Sequence, residues 1–334
     1  MTSLVARVSI AALMVLAAPA CGNAQTAEAP AEASGPILLV GNKGEDTLSF
    51  IDLRTGKELG RSATGRMPHE IAISPDGKQA AVVAYGAKSI DIFDIAARTR
   101  VKTIDLSPNE GPHGIVWLAD GRIVATTERS QSIAIVDPAA GTLTSSIKTD
   151  QQGTHMVAVT RDGSRAYTAN IPAGTITAID LKAGTKIRDL NVGGQPEGIT
   201  LSQDEKVLWV GDLQGARVQA FDAATLAKLA EVKTGPVPIR VAASPDGKWI
   251  VTSDLGTGAL TVIDAATRQK VRDIAVSGKQ EAAQVTILFA PDGKLYAAET
   301  GTDTIAEVDL ATGTVLRRLP AGKNGDGLAV APRP

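Results

Sequence analysis

Aromatic side chains are scarce: three Trp, three Tyr and four Phe make up 3% of the 334 residues. So few rings cannot tile a surface on which nucleic-acid bases would stack. Charge is no more inviting to a polyanion. Lys and Arg (34) nearly balance Asp and Glu (36), leaving a formal net charge of −2 and no pull toward nucleic acid or an anionic membrane. No nucleic-acid partner is expected. The single cysteine, Cys21, excludes an internal disulfide. Familiar catalytic strings are missing too: there is no Gly-x-Ser-x-Gly elbow, and His69-Glu70 is followed by Ile73 where a zinc helix would need its second histidine.

No hydrophobic run is long enough to span a bilayer as a stable anchor. The longest, residues 8–18, follows Arg7 and ends in the small residues Ala18-Pro19-Ala20, which reads as a secretory signal over residues 1–20. Cys21 stands directly after that cleavage point, and the segment resembles the lipobox of bacterial lipoproteins. Two outcomes stay open: lipidation of Cys21, which would make a lipid anchor the only membrane contact, or ordinary cleavage giving a periplasmic protein. Residues 21–35 are rich in Ala, Glu and Gln, contain Pro30, and show no apolar period. They are expected to form a disordered tether ahead of a folded body over 36–334.

What the chain has in abundance is repetition. A short apolar segment ending in aspartate recurs seven times, closing at Asp52, Asp94, Asp137, Asp180, Asp222, Asp264 and Asp309, 42–45 residues apart. A turn signal runs in step with it: Ser74-Pro75-Asp76-Gly77, Ala119-Asp120-Gly121, Arg161-Asp162-Gly163, Gln203-Asp204-Glu205, Ser244-Pro245-Asp246-Gly247 and Ala290-Pro291-Asp292-Gly293. Apolar runs flank each turn, so every repeat holds four short strands: A into the Asp-Gly turn, B out of it, C up to the marker aspartate, and D. One such sheet cannot bury both faces alone, but sheets stacked around an axis can. The fold class predicted is all-β, a seven-bladed β-propeller. The first repeat starts at strand B (residues 37–40) and the last leaves an extra strand A (residues 327–330), so the C-terminal strand should complete the first blade. The expected state is a monomer.

The pattern Pro-His-Glu/Gly, apolar strand, Ser-Pro-Asp-Gly-Lys, apolar strand, then Asp309-Leu310-Ala311-Thr312-Gly313 resembles the YVTN family of β-propellers, and its periplasmic YncE-like proteins in particular. The resemblance covers residues 36–332. It implies the fold and a periplasmic location and says little of function, while lipidation at Cys21 would instead anchor the protein at the outer membrane.

The three histidines share one register. His69, His113 and His155 each precede the turn aspartate by seven residues, and the same place in other repeats holds Glu197, Ile239, Val285 and Asp326. Strand A is the innermost strand of a blade, so this ring should line the upper mouth of the central channel. His69, His113, His155 and Glu197 together are a candidate site for zinc, copper, iron or manganese. Arg240, one step further in, could hold an anionic ligand. Asp326, with Glu128, Asn170 and Asp212 at strand-B exits on the same face, completes the predicted ligand contacts, to which Asn42 and Asp254 are equivalent. Two functions from different classes follow: a scaffold whose channel mouth binds a small molecule or a protein, and a metal-dependent lyase, lactonase or oxidoreductase. The marker aspartates are expected to cap turns, and Trp117, Trp209 and Trp249 to pack between blades.

Overall fold

The computed structural model describes Met1 and residues 35–332. The predicted signal segment and Cys21 lie outside the described residues. Seven four-stranded antiparallel sheets are present, each running A-B-C-D in chain order. Blade 1 is the exception that closes the ring: its strands are Gly325–Ala331, Ile37–Asn42, Thr47–Asp52 and Lys57–Ala63, so both chain ends meet in one sheet. The clasp pairs Leu38 with Val330, Leu39 with Ala329 and Val40 with Leu328. Blades 2 to 7 follow, their A strands being Pro68–Ile73, Pro112–Trp117, Thr154–Val159, Pro196–Leu201, Pro238–Ala243 and Gln284–Phe289.

The reason for stacking is visible in the burial. Strands B and C are buried on both faces, whereas strand D alternates exposed and half-buried positions, as in Lys57–Ala63. Each apolar face meets the next blade, and the described residues form seven hydrophobic clusters, one per blade junction. At the junction of blades 2 and 3, Val83, Ile90, Ile92 and Ile104 pack on Ile115, Ile123 and Val136. Each such side chain contributes roughly 1.5–3 kcal/mol on burial. Trp117, Trp209 and Trp249 belong to these clusters. All seven marker aspartates accept backbone N–H groups of the turn that follows, for example Asp137 from Ala139 and Ala140.

Two bulges recur in every blade. The outer one leaves a residue of strand D unpaired: Leu59, Val101, Thr144, Ile187, Leu229, Val271 and Leu316. An interrupted ladder at the outermost strand discourages pairing with another chain. The inner bulge shifts the A–B register at the start of strand A, between Pro68 and Ile71 in blade 2 and at the same place in the others. It sits at the histidine position, and bulges re-aim side chains.

Candidate functional site at the channel mouth

The bulged start of strand A carries the candidate residues. Here the second residue is His69, His113, His155, Glu197, Ile239, Val285 or Asp326, and the third is Glu70, Gly114, Met156, Gly198, Arg240, Thr286 or Gly327. Glycine at the third position lets the next blade close in. A β-carbon on Gly327 would stand 1.9 Å from the His69 carbonyl oxygen, and one on Gly114 would stand 2.9 Å from the Val157 nitrogen. Tight spacing of the A strands brings the imidazoles into contact.

The three rings form a stack. His113 lies 3.7 Å from His155 between ring centroids, at 34°, and 4.8 Å from His69, at 58°. Tyr85 leans on His69 (5.1 Å) and meets His113 edge-on (5.9 Å), and the Arg129 guanidinium lies over the Tyr85 ring, 4.7 Å from its centroid. Hydrogen bonds distinguish the rings. His69 Nδ1 meets the Met67 carbonyl oxygen at 2.9 Å. A carbonyl only accepts, so this nitrogen carries the hydrogen. His155 Nδ1 meets Glu128 at 2.9 Å, and its Nε2 lies 3.4 Å from Glu197. His113 is 3% exposed, and its Nδ1 has no hydrogen-bond partner among the described residues.

Charge state follows from these surroundings. Burial holds His69 below the ordinary imidazole range, against the pull of Asp326 and the Met67 carbonyl. Burial drives His113 well below it, helped by repulsion from His155, His69 and Arg240. For His155 burial opposes the charge, but hydrogen bonds to Glu128 and Glu197 outweigh it, and its pKa rises. The mouth thus holds two neutral imidazoles and one inclined to be an imidazolium.

Beside the stack runs a line of buried ion pairs. Arg240 reaches Glu197 Oε1 at 2.5 Å and Glu70 Oε1 at 2.9 Å. Burial opposes the Arg240 charge, but Glu70, Glu197 and Asp326 raise its pKa regardless. The same partners matter in reverse: burial would raise Glu197 and Asp326, yet His155 and Arg240 lower the first, and Lys43 and Arg240 the second. Lys43 pairs with Asp326 at 2.8 Å, and Thr286 donates to its other oxygen at 3.1 Å.

His69, His113, His155, Glu197, Asp326, Arg240 and Glu128 are therefore brought together. Arg240, foreseen as an anion anchor, has its charge already answered by two carboxylates. Glu128 arrives by a different register from the one expected. The strand-B ends opposite the start of strand A are Asn42, Ala84, Thr127, Asn170, Asp212, Asp254 and Glu299. Glu128 is one residue past that place, as Tyr85 is in blade 2. Asn170 and Asp212 are committed within their own blades, Asn170 to Thr175 and Thr177, Asp212 to Arg217 and the Gln195 and Gly215 amides. Glu70, Lys43, Tyr85, Arg129 and Thr286 were not foreseen. Glu70 and Thr286 occupy the third ring position that Arg240 also holds, so alignment of that column finds them. The others need the fold.

Metal fit is a question of convergence. Ligand nitrogens must point at one ion about 2.0–2.1 Å away. Here the rings lie against one another, and two of the Nδ1 atoms are engaged by Met67 and Glu128. Among the described residues no group of three or more His, Cys, Asp or Glu side chains is placed to hold a metal ion.

No curated protein matches the chain. Its fold is similar to that of several solved structures of low identity. Hydrazine synthase of Kuenenia stuttgartiensis superposes with a TM-score of 0.73 at 18% identity, over 87% of this chain and 99% of that one. A functionally unknown protein from Desulfotomaculum acetoxidans DSM 771 gives 0.76 at 14%, over 89% and 99%. The dihydro-heme d1 dehydrogenase NirN gives 0.67 at 13%, over 88% and 74%. A glutamine cyclotransferase profile matches residues 166–325. The profile of the seven-bladed β-propeller lactonases matches residues 54–234, more than half of the sequence, and the chain belongs to that family.

Proposed function

We propose that the upper mouth of the channel is the working site and that it binds a small polar molecule against the His69–His113–His155 stack. The buried His113 carries this reading. A buried polar atom without a partner costs roughly 1–3 kcal/mol, which a ligand supplying that partner would relieve. A ring of purely structural residues has no use for that expense. The test is ¹⁵N NMR of the three imidazoles during titration with polyols, hydroxy acids and lactones. Binding should move the ring signals of all three, and a ligand that binds while leaving them unmoved would place the site elsewhere.

Two observations favour a second, enzymatic reading, hydrolysis of a cyclic ester. One is the lactonase family. The other is the fixed tautomer of His69, which leaves Nε2 as a free base. We further propose an exported protein of the YVTN, YncE-like type, periplasmic or held at the outer membrane through Cys21. Fractionation of wild type and Cys21→Ala tests this: membrane association lost in the variant supports the anchor, and an unchanged distribution rules it out.

A further inference from the structure

We propose that the cleft between blades 6 and 7, on the face opposite the histidines, binds a small organic cation of the quaternary-ammonium class. Each A strand starts at the channel mouth and ends at its Asp-Gly turn, so these turns ring the other face. There a cleft of about 520 Å³ opens, a size typical of small-molecule sites. Trp249, Phe289, Leu310 and the carboxylates of Asp246, Asp292 and Asp309 line it.

The two rings mark this junction out from the other six. Trp249 stands one residue before the partner of the last A-strand residue of its blade. That place holds Ile37, Gln79, Arg122, Arg165, Val207 and Lys294 elsewhere. Phe289 ends its A strand, where the other blades have Val330, Ile73, Trp117, Val159, Leu201 and Ala243. Among the described residues, only blades 6 and 7 bring an aromatic from both places to one junction. Both rings are half-buried at the border of a cluster already filled by Val251, Leu260 and Val262. Trp117 ties its indole N–H to the Gly121 carbonyl at 3.0 Å, whereas that of Trp249 has no partner among the described residues. Neither ring carries a cation from the described residues; the guanidinium found over a ring is Arg129 on Tyr85, at the mouth.

The polar lining accepts rather than donates. Asp246, Asp292 and Asp309 each spend Oδ1 on an amide of their own turn, from Lys248, Lys294 and Ala311. The Ser244 hydroxyl holds Asp246 below the usual carboxylate range, and the Ala311 amide does the same for Asp309. Lys248 meets Asp246 at 3.3 Å and Lys294 meets Asp292 at 3.6 Å, but these are exposed pairs of little strength. Lys294 is also drawn to Glu307 at 3.4 Å, and Arg272 is committed to the Leu310 and Ala311 carbonyls. An anion would meet three carboxylates here. A cation whose charge is spread over methyl groups suits both the rings and the carboxylates, and brings no donor that needs a fixed partner.

Indole N–H signals in ¹H–¹⁵N NMR test this on the whole protein. Choline and tetramethylammonium should shift the Trp249 signal to saturation and leave that of the buried Trp209 in place. The uncharged isostere of choline, 3,3-dimethylbutan-1-ol, should bind about tenfold more weakly or worse. By calorimetry, Trp249→Leu and Phe289→Leu should each weaken choline by about tenfold. The second substitution installs the residue that blade 5 has at that place, Leu201, and a native melting profile checks both variants. Asp246→Asn keeps a turn-forming side chain; it should weaken choline and leave the isostere unchanged. A Trp249 signal indifferent to both cations overturns the proposal, as does an isostere that binds as tightly as choline. Full choline affinity in both folded leucine variants places the cation elsewhere and overturns it too. The same group could be offered by a lipid headgroup. A signal moved by phosphatidylcholine vesicles but not by free choline would overturn a soluble ligand.

Discussion

Arg240 of blade 6 and Glu70 of blade 2 meet at 2.9 Å across the channel, from blades as nearly opposite as a seven-membered ring allows. Glu197 of blade 5 grips the same guanidinium, so one cation ties three blades together beside the histidine stack. Both side chains of the crossing pair are largely buried, at 6% and 13% exposure. Breaking a buried pair by removing one partner costs roughly 3–5 kcal/mol, because the remaining charge is stranded. Glu70→Ala should fall at the lower end of that range, since Glu197 still answers Arg240. The denaturant midpoint is the measure, and a midpoint within error of wild type would mean the pair is solvated.

Stability should also depend on pH in two directions. The pKa values of His69 and His113 are depressed in the folded state, so their contribution is present above the unfolded value near 6.5 and is lost as pH falls below it. His155 is raised, so its contribution is complete below 6.5 and is lost as pH climbs through its folded value. On going from pH 7 to pH 5, His69 and His113 should therefore cost wild type stability, against gains from His155 and Asp254. His113→Gln, which has no proton to take up, should lose less over that interval. Equal losses in the two proteins would show that His113 is not the group being protonated.

Much of this was legible in the sequence. Seven marker aspartates and six turn signals fix the blade count, because each needs only a local turn and a short apolar flank. The unmatched strands at the two ends fix the clasp for the same reason. The histidine arc follows from register within the repeats. Register fails where the backbone departs from the repeat: the inner bulge lets both second and third residues of strand A matter, so Glu70 was passed over, and Glu128 reaches His155 from one residue beyond its expected place. Pairing across the ring is invisible in a linear sequence. Nothing local to Arg240 says that a carboxylate 170 positions earlier will neutralise it.

The stacking of the rings leads to an expectation about metals. A transition ion on these histidines would require the stack to open and His155 to give up Glu128 or Glu197. Protein purified without chelator should therefore carry no near-stoichiometric zinc, copper, iron or manganese by elemental analysis. Stoichiometric metal that disappears in His113→Ala would show that the rings do rotate to converge.

The strand-B end position supplies the last test. Asp254 is 1% exposed, and burial pushes its pKa up to about 6 despite hydrogen bonds from Thr252, Thr261 and the Gly235 amide, with Asp273 adding repulsion. Blade 4 meets the same geometry with an uncharged residue: Asn170 donates to Thr177 and accepts from Thr168, the equivalents of Thr261 and Thr252. A folded pKa above the unfolded value near 3.9 means that ionising Asp254 destabilises the fold, by about 2–3 kcal/mol once pH exceeds 6. Asp254→Asn removes that cost and keeps the hydroxyl partners. The variant should be more stable than wild type at pH 7, with the advantage shrinking as pH falls from 6 toward 4 and vanishing only below the unfolded value near 3.9, where wild type is protonated in both states. Urea midpoints at pH 4, 6 and 7.5 measure the difference. A variant less stable than wild type at pH 7.5 would mean that the Gly235 amide and the two threonines hold the carboxylate as an anion.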